Sequence, residues 1–130
     1  MGYDVHDLPD EVLAFLDERH LATLTTLRPD GSPHVVPVGF SYDQAEQLVR
    51  IITFASSRKA AHAGLPGARA AVSQLDAGRW VTLEGPVEVT ADPTRVARAM
   101  AGYAARYRQP GERADRVALE IRVERVLGRA

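Results

Sequence analysis

Apolar residues recur along this chain at two different spacings, and the alternation between them divides it into elements. In "DLPDEVLAFLDER", residues 7–19, Leu8, Val12, Phe15 and Leu16 form one stripe behind an aspartate cap and an early proline, which predicts a short amphipathic helix. Period two then takes over. "HLATLTTL" at 20–27 alternates leucines with Thr and Ala, "RPDGSP" carries turn chemistry, and "HVVPVGFSY" resumes the extended pattern, so a hairpin is expected. A third strand is expected at Leu48 to Phe54, buried on both faces at Ile51 and Ile52, and a short helix from about Ser57 to Ala63 that ends near Gly64.

Strand patterns return in "ARAAVSQL" and in "GRWVTLEGPVEVT", where Gly85 and Pro86 interrupt the apolar set and predict a bulge or corner. "DPTRVARAMAGYAARY" offers Asp92 as cap, Pro93 at the first helical position and a stripe of Val96, Met100, Tyr103 and Tyr107, the pattern of a helix packed on a sheet. "RVALEIRVERVLG" alternates apolar and charged positions as one closing strand, and "RQPGERAD" before it is a loop. Many strands in neighbouring hairpins with three interposed helices predict a mainly β fold with peripheral helices, a small antiparallel barrel filling residues 1–130 as one domain.

Length changes this picture little: 130 residues bury roughly two thirds of their unfolded surface without a staple. There are no cysteines, so nothing points to an oxidising compartment or a thiolate metal site. No basic leader and no run of about 18 apolar residues is present, so the expectation is a cytoplasmic protein without membrane partners. A formal net charge of -1 argues against nucleic acid as a partner. No His, Asp or Glu spacing suggests convergent ligands, so no metal is expected. Neither GxGxxG nor GxxxxGK occurs.

Charge becomes informative locally. Fifteen of the sixteen basic residues are arginine, and Lys59 is the exception. It follows Ser56, Ser57 and Arg58 at the start of the short helix, where the backbone already carries partial positive charge and cations are disfavoured. Hydroxyls, unpaired amides, a guanidinium and an ammonium within four residues make a phosphate cradle, although an exposed Arg-Lys turn has the same spacing. His34 reads either as a strand histidine or as a ligand contact; His20 and His62 read as structural, Glu84 as a partner for backbone or arginine, and Tyr103 and Tyr107 as core. Trp80 is suited to walling a flat ligand.

The motifs "SSRKAAHA", "ARAAVSQL" and "GRWVTLEGPVEV", in that order, resemble the flavin-binding core of the pyridoxamine 5'-phosphate oxidase-like superfamily, and the first third of the chain resembles its shorter branch that uses the deazaflavin coenzyme F-420. The resemblance implies a split β-barrel homodimer, with cofactor at the subunit interface. It implies that Ser57, Arg58 and Lys59 contact the cofactor phosphate, that Ile52, Thr53 and Phe54 run beside the ring or its chain, that Pro33, His34, Val36 and Pro37 face the ring, and that Arg79 and Trp80 lie in the cofactor region. The implied activity is hydride transfer from reduced coenzyme F-420 to a conjugated small-molecule acceptor such as biliverdin, with Arg28 or Arg79 candidates for its propionates. FMN in the same cradle, or a non-catalytic module that sequesters flavin or tetrapyrrole, are the alternatives. The C-terminal "RVERVLGRA" lacks the basic and histidine residues with which the oxidases grip pyridoxamine phosphate, which argues against vitamin B6 oxidation.

Overall fold

A computed structural model of the chain describes residues 2–130. Nine strands and three helices follow one another as β1 (Gly2–Tyr3), α1 (Asp10–Asp17), β2 (Ala22–Leu27), β3 (Pro33–Val38), β4 (Ser41–Asp43), β5 (Leu48–Phe54), α2 (Arg58–Ala63), β6 (Arg69–Asp76), β7 (Arg79–Thr90), α3 (Pro93–Arg106), β8 (Arg116–Arg122) and β9 (Arg125–Arg129). All pairings are antiparallel, in the order β3-β2-β6-β7-β8-β5-β4, with β9 joining β7 to β1. This is the antiparallel barrel that the sequence pattern predicts, in the split form that the resemblance implies.

Strand β7 belongs to both halves of the barrel. Its first part lies between β6 and β9, and from Val87 to Thr90 it pairs with β8 instead. The change of partner falls at Gly85-Pro86, so the interruption in the apolar pattern marks a corner. A side chain cannot be accommodated there: a Cβ on Gly85 would stand 1.9 Å from the carbonyl oxygen of Arg122.

The core fills the inside of the barrel. Leu24, Val72, Val81, Leu83, Leu119, Ile121 and Val126 are wholly buried, and α1 closes one end with Val12, Phe15 and Leu16. Val96 and Ala99 of α3 pack with Ala118, Ile52 and Met100 in a separate small cluster, which leaves Ile52 half-buried where burial on both faces was expected. Asp92 caps α3 as expected, accepting from the Arg95 amide at 3.0 Å. Helix α1 begins later than expected: Pro9 occupies its cap position without a side-chain bond, and Asp10 and Glu11 place negative charge in the first turn.

Two further differences have backbone causes. The extended run after the first turn breaks at Gly39-Phe40, where the Phe40 amide donates to Tyr107 Oη at 3.2 Å. The expected closing strand is two strands, because the Val123 amide turns to the carbonyl of Gln47 and the Glu124 amide to that of Glu84. Tyr107 is half-buried and also donates to the carbonyl of His20 at 2.6 Å, and Arg106 beside it donates to the carbonyls of Glu18 and Phe40 and to Gln74 Oε1. The end of α3 is thereby tied to α1, β6 and the β3–β4 corner.

Replacing Gly85 by Ala forces the corner open against main chain, which cannot yield as a flexible side chain would. Gly85→Ala is expected to lower unfolding free energy by about 1–3 kcal/mol, read as a reduced urea midpoint at unchanged slope. An unchanged midpoint would contradict this description of the corner.

Candidate functional site: a basic cleft beside the short helix

Helix α2 is built from the end of β5. Ser57 is its cap: the side-chain oxygen accepts from the Ala60 amide at 3.1 Å and from Thr53 Oγ1 at 3.0 Å. Both hydroxyl residues are buried, so Thr53 and Ser57 fix where the helix starts. Ser56 is exposed in the turn before it, and Arg58 and Lys59 project from the first turn, whose amides have no carbonyl one turn back to bond.

Lys59 lines a cleft of about 350 Å³ bounded by the end of β3, by β5, by α3 and by the start of β8. Pro37 and Ile52 give it apolar walls, Tyr103 an aromatic one, and Arg108 and Arg116 add two cations. Among the described residues, none of Lys59, Arg108 and Arg116 has a carboxylate within ion-pairing distance. The Nε of Arg116 is buried without a partner. A buried donor in this condition is costly unless a ligand acceptor meets it, so the cleft is chemically prepared for an anion with a flat or apolar body.

The expected site residues therefore separate. Pro37, Ile52 and Lys59 meet in the cleft. Phe54 lies next to it, paired in register with Arg116, and its ring is covered by the Arg113 guanidinium at 4.1 Å. His34 faces the other way, edge-on to His62 with ring centroids 4.9 Å apart, and Val36 packs against the main core. Pro33 is exposed at the start of β3, away from the cleft. Trp80 stands on the outer face of the sheet with Leu75, its cross-strand partner.

Arg79 is committed elsewhere. It donates to both carboxylate oxygens of Glu18 at 2.9 Å and to Asp76 at 2.6 Å, and lies over the Phe15 ring at 4.4 Å. These bonds hold the Glu18 carboxyl down at about 2, with His20 a second donor. Glu18, His20 and Asp76 are also the one acid-histidine group among the described residues close enough to share a cation, and the Arg79 guanidinium already serves them. Arg79 thus joins α1 to the β6–β7 hairpin, and its guanidinium is engaged there, outside the cleft. Glu84 accepts from Arg125 at 3.0 Å, the arginine contact expected of it.

Arg108, Arg116 and Tyr103 were not among the expected ligand residues. Arg116 enters only through the β5–β8 register, in which Phe54 faces it across a separation in sequence that no local pattern reveals. Tyr103 belongs to a helical stripe that reads as core, and the only sequence signal for Arg108 is its place at the start of the single long loop.

A family model described as pyridoxamine 5'-phosphate oxidase matches residues 8–130, and the chain belongs to that family. The chain is 50% identical over 123 residues to an F-420H2-dependent biliverdin reductase of Mycobacterium tuberculosis, an alignment covering 95% of this chain and 89% of the relative. Among solved structures, a conserved hypothetical protein of Mycobacterium tuberculosis superposes with a TM-score of 0.79 at 22% identity, covering 98% of this chain and 88% of that one. An F-420 reductase superposes with a TM-score of 0.74 at 26% identity, covering 92% and 98%.

Because the Ser57 hydroxyl accepts from the Ala60 amide and from Thr53, its removal leaves two buried donors short of an acceptor. Ser57→Ala is expected to cost about 1–2 kcal/mol of stability and Ser57→Thr clearly less, measured by thermal or urea unfolding. Equal stability of the alanine variant and the parent would refute the capping role.

Proposed function

We propose that this chain is a cytoplasmic coenzyme F-420-dependent reductase that transfers a hydride from the reduced deazaflavin to a conjugated acceptor, with biliverdin as the first acceptor to test. The observation that carries the proposal is the 50% identity, over 95% of the chain, to a reductase of that description. The cleft supports it independently. An anionic coenzyme with a phosphate and a carboxylate-bearing tail needs separated cations along an open groove, and Lys59, Arg116 and Arg108 supply three without competing carboxylates. FMN ends at its phosphate and leaves Arg108 and Arg116 without a role.

The deazaflavin supplies the hydride chemistry when bound. The protein's share is binding and alignment. The Lys59 ammonium would hold phosphate as a point charge, while the Arg116 guanidinium would offer its unpartnered Nε and Arg108 would extend positive charge toward solvent. Pro37, Ile52 and Tyr103 form the walls against which a flat ring is kept from water, and the ties from Tyr107 and Arg106 to the β3–β4 corner hold Pro37 at a fixed distance from α3. Ser57 and Thr53 keep the cations in place by fixing the helix start. Such positioning needs no side-chain nucleophile.

We further propose a homodimer formed through the outer face of the β3-β2-β6-β7 sheet. Leu21, Leu75 and Trp80 expose 65%, 62% and 36% of their surface at one end of that face, Val35 exposes 56% toward the other, and Thr23, Thr25, Ala71 and Ser73 between them are small. An apolar face this flat is the usual signature of an interface.

Two experiments test these readings. Purified protein given reduced coenzyme F-420 and biliverdin is expected to oxidise the coenzyme, and Lys59→Ala is expected to weaken coenzyme binding by about 1–3 kcal/mol in a fluorescence titration. Absence of turnover together with tight FMN binding would favour the flavin reading; unchanged affinity in the variant would remove Lys59 from the cradle. In analytical ultracentrifugation the parent is expected to sediment as a dimer and Leu75→Glu as a folded monomer, whereas a monomeric parent would contradict the interface.

A further inference from the structure

Helix α2 borders two cavities. Lys59 borders the basic cleft, and three residues on, His62 borders a second cavity of about 400 Å³ between the β2–β3 turn and the loop leading into β6. The walls of this second cavity are mainly apolar, with Leu27 and Pro29 from the turn and Leu65 and Pro66 from the loop. Such walls suit a flat conjugated body.

Its floor is an imidazole, and its rim carries two arginines. His62 is 7% exposed, with Nδ1 in a buried 2.8 Å hydrogen bond to Thr26 Oγ1. Burial lowers its pKa, and the electrostatic influence of its neighbours, Arg28 and Arg58 among them, lowers it further, so the ring is held toward its neutral form. The His34 Nδ1 next to it is buried without a partner. Arg28 sits on the rim, where one nitrogen, Nη1, is held by Ser32 Oγ and the carbonyl of Pro33; among the described residues Nη2 has no partner. The Asp30 carboxylate in the same turn accepts from the Ser32 amide and hydroxyl, and Arg69 on the opposite rim pairs with Glu124 at 2.8 Å. Among the described residues Arg28 has no carboxylate within ion-pairing distance, because Asp30 turns to Ser32 and Glu124 to Arg69.

We propose that this second cavity is a subsite for the carboxylate-bearing edge of the acceptor: the apolar body lies between Leu27 and Leu65, and a carboxylate takes Arg28 Nη2 over His62. The identification of the ligand as acceptor rests on the reductase reading, whereas the subsite itself is a binding claim. Of the two arginines considered from sequence, the structure selects Arg28, because Arg79 is already bound by Glu18 and Asp76.

The test uses biliverdin and its dimethyl ester, with equilibrium affinities measured by absorbance titration in the absence of coenzyme. The parent is expected to bind the diacid about 10-fold or more tightly than the ester, and Arg28→Gln, at an exposed turn, is expected to lose that preference by weakening the diacid alone. Coenzyme affinity, read by deazaflavin fluorescence, is expected to stay unchanged in the variant. Equal weakening of diacid and ester, no effect on either, or no binding of the diacid to the parent would overturn the subsite. Coenzyme oxidation by biliverdin is scored separately: an Arg28-dependent preference without turnover leaves the subsite and removes the reductase reading, and turnover without the preference does the reverse.

Discussion

Both halves of this barrel hang on β7, a single strand that serves two sheets. Its first eight residues pair with β6 and its last four with β8, and the main chain of Arg122 passes so close to Gly85 at the change that no side chain fits between them. Backbone hydrogen bonds must be satisfied on both sides of such a corner, and they are: the Val87 amide reaches the carbonyl of Ala68 and the Glu124 amide that of Glu84. Because β5 and β8 are positioned through this strand, so are Ile52, Phe54 and Arg116, and with them one side of the cleft.

The second determinant is how the charges are distributed. Nearly neutral overall, the protein pairs many of its acids with arginines away from the cleft: Glu18 and Asp76 with Arg79, Glu88 and Glu120 with Arg95, Asp43 with Arg50, and Glu84 with Arg125. Around α2 the cations Lys59, Arg108, Arg116 and Arg28 lack such partners among the described residues. A modest net charge thus conceals locally unpaired cations, three of them in the basic cleft, and in a partly water-excluded cleft such charges act more strongly than at the open surface.

Most of the fold was legible because period and punctuation agree. The α3 cap at Asp92, the α2 cap at Ser57 and the corner at Gly85-Pro86 each have a local chemical cause that the sequence displays. The break between β8 and β9 was not legible, since it arises from amides turning to Gln47 and Glu84, residues far away in the chain. The same distinction divides the candidate site. Lys59 and Ile52 could be placed from the local motif, but Arg116 depends on strand register, and the commitment of Arg79 depends on Glu18, which approaches only when α1 docks. Trp80 stands on the outer sheet face beside exposed leucines, outside the cleft, a placement that follows from strand register and that residue type alone does not display.

The central claim is that the groove beside α2 holds an anionic tricyclic coenzyme. A crystal structure of the protein soaked with coenzyme F-420 tests it most directly. The account predicts phosphate density within hydrogen-bonding distance of Lys59, the ring against Pro37 and Ile52, and the tail leading toward Arg108 and Arg116. Density at any other place on the molecule, or a fully occupied coenzyme with these cations turned away from it, would contradict the account.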